Sequence, residues 1–232
     1  MGEWAEFAIA FGAFLLSHAI PARPAVRARL RAILGEGGFL AAYSLVSVIL
    51  LGWLIAAAGR APYVALWDFA PWQMWVPNLL MPLACILVAF GAAAPNPLSF
   101  GGRAVERFDA RHPGIAGVSR HPLLLGLLLW AAGHIVPNGD LAHVILFGTF
   151  AAFSLAGMRM IDRRRQRTIG RSAWDALAAR TSLWPGEALF DGRWRPSLRR
   201  LDPVRLGIAG VLWAALLSLH APVIGVSPLP PL

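Results

Sequence analysis

Six runs of this chain are almost free of charge, over residues 4–20, 39–58, 75–93, 121–136, 141–158 and 206–223, and arginine, proline and glycine gather between them. At 1.5 Å of rise per residue each run is long enough, or nearly so, to cross a hydrocarbon layer of about 30 Å. Backbone amides find no water inside lipid, so the runs are predicted to be helices. The pattern describes an all-α polytopic membrane protein, one integral membrane domain over 1–232 with six transmembrane helices.

The connections refine this picture. The segment 59–74 and its neighbour carry Tyr63, Trp67, Trp72 and Trp75, a ring cluster suited to head-group depth. Pro77 falls in the first turn of the third helix, where it is tolerated, whereas Pro82 is expected to kink it. Pro137-Asn138-Gly139-Asp140 is short enough to force an antiparallel hairpin, with Asp140 capping the fifth helix. Gly148, Ala152 and Ala156 recur every fourth residue, a spacing expected to let helices approach closely. Residues 160–185 mix arginines with Ile169, Trp174, Leu177 and Trp184, which predicts an interfacial segment that does not cross. The stretch 186–203 is proline- and glycine-punctuated and is predicted to be a loop.

Composition fits the same class: 57% hydrophobic and 14% charged residues exclude an ordinary soluble domain. The net charge of +9 comes entirely from arginine, since the chain has no lysine. Alternate threading puts Arg23 to Arg31, Arg103 to Arg120 and Arg159 to Arg205 on one side, with only Arg60 opposite. That asymmetry predicts a bacterial inner-membrane protein with both termini periplasmic. Anionic lipid accounts for the basic surface, and no aromatic-interleaved groove of a nucleic-acid-binding protein is present. The opening Met1-Gly2-Glu3-Trp4 lacks a basic leader, so the first helix is expected to stay as an anchor. Cys85, the single cysteine, excludes an internal disulfide and a cysteine-based zinc cluster.

Histidines are the candidate chemistry, because an ionisable group in a bilayer segment is a functional hypothesis by default. Pro122 suits a first helical turn, which makes His121 the cap with its side chain free to point into the inner interfacial region, the alternative being a merely capping or lipid-facing histidine. Gly126, Trp130 and His134 are spaced by four and share a face, a candidate pocket lining or an ordinary packing surface. His121 and His134 lie about 20 Å apart along one helix and cannot share a metal ion. Threading places His18 near His121 on the arginine side, and His134, His143 and His220 on the other.

The ordered set Arg120-His121-Pro122, Leu129-Trp130, Gly133-His134, Asn138-Gly139-Asp140, Leu146-Phe147-Gly148, Gly157 and Asp162-Arg163-Arg164 resembles the NnrU family of bacterial membrane proteins. So do His18, Pro24, Val26-Arg27, Leu34-Gly35-Glu36, Gly38-Phe39, Tyr43-Ser44 and Ser47. The resemblance implies a role around denitrification, in support of nitrite and nitric oxide reductase components. NnrU proteins are similar to the plastid 15-cis-zeta-carotene isomerases, which implies haem b held by His18 and His134, with Trp130 and Gly126 shaping the pocket. His121 is the alternative second ligand by depth, and Ala131 stands where the isomerases carry a cysteine. Arg120-His121-Pro122 with Gly126, then Gly170, Trp174 and Trp184-Pro185, also resembles the isoprenylcysteine carboxyl methyltransferases, which implies S-adenosylmethionine. That group's paired glutamates have no counterpart in Asp162-Arg163-Arg164-Arg165. A third reading is a non-enzymatic factor that assembles respiratory reductases.

Overall fold

A computed structural model describes residues 2–197 and 201–230. Within them the chain is helical: α1 (Glu3–Ala22), α2 (Pro24–Arg60), α3 (Trp75–Gly91), α4 (Ile115–Val118), α5 (Pro122–Ile135), α6 (Leu141–Ile169), α7 (Arg171–Ala178), α8 (Glu187–Phe190) and α9 (Pro203–Ile224). Five of these are long and apolar enough to cross a membrane, α1, α2, α3 with its preceding turn, α6 and α9; α5 is a shorter apolar helix of 14 residues. All six expected helices are therefore present, each within a few residues of its apolar run, except that α2 and α6 extend well beyond theirs. Contacts divide the chain into two units, 2–68 with 139–146, and 69–138 with 147–230.

In the first unit α1 and α2 form an antiparallel pair. Phe7, Ala10 and Phe14, spaced three and four apart, are the buried face of α1. Glu6 ties the pair at one end, accepting from Arg60 at 2.6 and 3.2 Å and from the Trp53 indole at 3.1 Å. Pro21 and Pro24 bracket the break at Arg23, because neither ring permits a continuous helical ladder. A second break interrupts α2 at Gly35, whose φ of 70° and ψ of 170° suit a residue without Cβ. Residues 64–67 run beside Gly139–Leu141, with Leu66 N donating to Gly139 O at 2.7 Å and Leu141 N to Val64 O at 3.0 Å. A Cβ at 139 would strike the Trp67 carbonyl, so the hairpin glycine sets this close approach. Asp140 caps α6 as expected, its Oδ1 accepting from His143 N at 3.2 Å.

In the second unit α3 packs between α5 and α9. Its antiparallel contact with α5 is set by glycines: Gly91 lies against Pro122, Gly126 faces the Ala84 carbonyl, and Gly133 faces Pro77. Small residues allow such approach where lipid provides no hydrophobic drive. Pro82 lies inside α3, and Cys85 is buried beside Ala89 and Ala209. Trp130 meets Phe147 and Phe150 at 5.3 and 5.4 Å while Leu125 packs with Met158, so α5 and α6 are the expected antiparallel neighbours. Between these two helices Gly157 approaches Leu124 closely, whereas among the described residues nothing lies within 4 Å of a Cβ built on Gly148 and both Ala152 and Ala156 are exposed.

Two inner segments depart from expectation. The helix begun at Leu141 continues through Arg159, Arg163, Arg164 and Arg165 to Ile169, because no proline intervenes and the first glycine at positive φ is Gly170. Only α7 then remains as a separate amphipathic piece, with Trp174 and Ala178 buried. The predicted loop 186–203 contains the four-residue α8 and ends on Asp202, which caps α9 through Val204 N and Arg205 N; residues 198–200 of that stretch lie outside the described residues. One end of this unit gathers the C-terminus of α3, the N-termini of α5 and α9 and the arginine-rich end of α6. Arg205 closes it by donating from one terminal nitrogen to the carbonyls of Ala89, Phe90 and Ala92 at 2.8–3.0 Å.

Candidate functional site

The most concentrated chemistry in the second unit surrounds His121. Ser99, Ser119, His121, Asp162, Thr181 and Ser182 are all buried, and hydrogen bonds join most of them into one cluster. The sequence builds it from local devices. Asn96 folds its own turn, accepting from Leu98 N at 3.0 Å while donating to the Arg120 carbonyl at 2.8 Å. Ser119 accepts from His121 N at 3.2 Å, ahead of Pro122 in the first turn of α5.

His121 is the N-terminal flank of α5 as expected, and its side chain is enclosed by protein. It is fully buried, with Nδ1 2.9 Å from Ser99 Oγ and Nε2 2.8 Å from Asp162 Oδ1. Asp162 takes two further contacts on Oδ2, from Arg120 Nε at 3.2 Å and a terminal nitrogen at 3.1 Å. The other Arg120 terminal nitrogen donates to Thr181 Oγ1 at 3.0 Å, and the guanidinium lies 5.5 Å from the Trp174 ring centroid. One carboxylate thus ties the start of α5, the basic end of α6 and the segment after α7. Ser99, His121 and Asp162 follow the order of a nucleophilic triad, with Ser99 only 3% exposed, and the arrangement ties these segments together in the interior. Apart from Arg120 and His121, the sequence reading missed this cluster. Its one legible signal was Asp162, the lone acid in an arginine run; Ser99 and Thr181 carried none.

His134 has different surroundings. Its Nδ1 lies 2.7 Å from the Trp130 carbonyl, and because a carbonyl only accepts, Nδ1 carries the proton and Nε2 presents its lone pair. Trp130 at 5.6 Å and Phe147 at 5.2 Å wall the ring, and His220 stands 6.4 Å away with its Nδ1 tied to Val226 O. Trp130 therefore belongs with His134 as the shared face predicted, whereas Gly126 is used against α3.

His18 sits in the first unit with the same tautomeric arrangement. Its Nδ1 is 2.8 Å from the Phe14 carbonyl and 3.1 Å from Ser17 Oγ, and its ring packs on Phe14 at 4.3 Å and Tyr43 at 5.5 Å. His143 pairs with Asp140 at 2.7 Å, also in that unit. Among the described residues no group of three or more His, Cys, Asp or Glu side chains is arranged to hold a bare metal ion. Outside the spans, His112 binds Asp109 at 2.7 Å, and this bond together with the Arg111 amide holds the Asp109 carboxyl below its usual value.

Comparison with known families matches residues 6–228 to the family described as NnrU protein. Among curated proteins, the chain is 32% identical over 80 residues to a maize (Zea mays) protein named 15-cis-zeta-carotene isomerase, chloroplastic. The match covers 34% of this chain and 22% of the maize protein, so it spans about a fifth of that relative's length. No solved structure matches.

Proposed function

From membership of the NnrU family, to which this chain belongs, we propose a bacterial inner-membrane protein that binds haem b and supports nitrite and nitric oxide reduction. Six crossings, with both termini periplasmic, follow from counting α5 as a span and from the arginine asymmetry. The observation that carries the haem reading is the state of His134. Trp130 O fixes Nδ1–H, so Nε2 is the donor, and metal-ligating imidazoles are characteristically held through their other nitrogen in this way. The resemblance names His18, an imidazole of the same tautomer, as the second ligand. Regular threading sets it on the opposite side from His134, so this pairing requires the helices to be displaced from that threading. His121 is the poorer ligand, because both of its ring nitrogens already have partners.

Two neutral imidazoles would suit haem iron as a donor set. Haem b, when bound, supplies an iron centre for one-electron exchange and small-ligand binding. The chain's own part is to orient: the Trp130 carbonyl sets the His134 ring, and the Trp130 and Phe147 rings pack beside it. A second reading, a carotene-isomerase-like haem enzyme, is favoured by the 80-residue similarity to the maize isomerase. Methyl transfer has less support, because the acid in the relevant stretch, Asp162, is committed to Arg120 and His121.

The test is the visible spectrum of the detergent-purified protein, expressed with haem supplied and read before and after dithionite. A Soret band that sharpens on reduction and is lost in His134→Ala is expected. A wild-type protein without a Soret band removes the proposal.

A further inference from the structure

Two arginines near the start of α2 each leave an Nε without an acceptor among the described residues. The Nε atoms of Arg27 and Arg31 are buried, and neither donates a hydrogen bond within the described residues. Buried N–H groups in folded proteins are satisfied almost everywhere, so an unmet pair one turn apart calls for an explanation. Glu36 binds a terminal nitrogen of Arg31 at 2.9 Å, but it is 60% exposed and leaves both Nε edges without an acceptor.

The two guanidiniums converge on one aromatic ring, with Arg27 Cζ 5.9 Å and Arg31 Cζ 5.6 Å from the Phe39 centroid. In an unbroken helix Phe39 would stand roughly 18 and 12 Å farther along the axis than these residues. The break at Gly35 removes that separation. Phe39 stacks on Tyr43 at 6.0 Å, and Tyr43 meets His18 at 5.5 Å, so the arginine pair lies two rings from the histidine.

We infer that Arg27 and Arg31, folded back over Phe39 by the Gly35 break, form an anion site beside His18 for a carboxylate or phosphate on an otherwise apolar molecule. A guanidinium offers Nε–H and a terminal N–H in a planar fork that matches either oxyanion. The neighbouring Phe14, Phe39 and Tyr43 rings favour a ligand whose anionic group is attached to an apolar body. Two sources carry that chemistry. One is a porphyrin propionate, which rests on the haem reading above; the other is the phosphodiester of an anionic lipid, which does not.

The experiment uses the full chain in nanodiscs. Haem and haem dimethyl ester are titrated by absorbance, and retention of phosphatidylglycerol against phosphatidylcholine is read by native mass spectrometry. Both are repeated for Arg27→Gln/Arg31→Gln and for the exposed control Arg29→Gln. Loss of haem affinity by about tenfold in the double variant, with the dimethyl ester unaffected, supports the propionate source. Selective loss of phosphatidylglycerol supports the lipid source, and it stands even if the wild-type protein takes up no haem and the haem reading fails. Should the double variant not fold, the unaltered protein still decides: equal binding of haem and its dimethyl ester, with no preference for phosphatidylglycerol, overturns the inference. So does a folded double variant that matches wild type in both assays.

Discussion

Asp162→Ala is expected to be among the most damaging single changes in the second unit. The carboxylate is 7% exposed and accepts from two nitrogens of Arg120 and from His121 Nε2. Truncation leaves a guanidinium whose side chain is only 14% exposed, with Thr181 and the Trp174 ring as its remaining partners. Removing one member of a buried ion pair costs about 3–5 kcal/mol, because the desolvated partner charge is left uncompensated. Little solvent discount applies at this depth. Asp162→Asn keeps the shape and one acceptor, so a smaller loss of about 1–3 kcal/mol is expected. Cys85 is the single cysteine and is buried in α3 of the same unit, so a thiol-reactive fluorophore reports unfolding without a further label. In mild detergent below the transition, labelling of Cys85 through the opened state should rise about a hundred- to several-thousand-fold in Asp162→Ala, at 1.4 kcal/mol per tenfold. A change below about tenfold would refute the claim that this carboxylate holds the inner end together.

Other consequences follow from single contacts. Gly91→Ala places a methyl group into the Pro122 ring, and a loss of about 1–3 kcal/mol from overpacking should appear in the same labelling assay. Arg205→Ala frees the carbonyls of Ala89, Phe90 and Ala92, so a loss of about 1.5–3 kcal/mol and faster amide exchange at the end of α3 are expected by mass spectrometry. Asp109 has a lowered folded pKa, so its tie to His112 contributes above the unfolded value and is lost as pH falls through the folded one. Acid titration of wild type against Asp109→Asn should therefore show a difference in loop protection near neutral pH that vanishes in acid.

The sequence by itself determined the class of fold, the place of each apolar helix and the caps. These depend on hydrocarbon thickness, backbone satisfaction and residues a few positions apart, all of which are written linearly. The tight hairpin at 137–140 and the capping of α6 by Asp140 were legible for that reason. The His134 ring with Trp130 was legible too, since four residues make one helical turn. Tertiary structure decided what depends on partners far along the chain. Ser99, Asp162 and Thr181 reach His121 and Arg120 across 22 to 61 residues, and no periodicity marks such encounters. It also decided which small residues matter to the contact between α3 and α5, giving it Gly91, Gly126 and Gly133. Spacing shows that residues share a face, and only packing shows whether another helix lies against it.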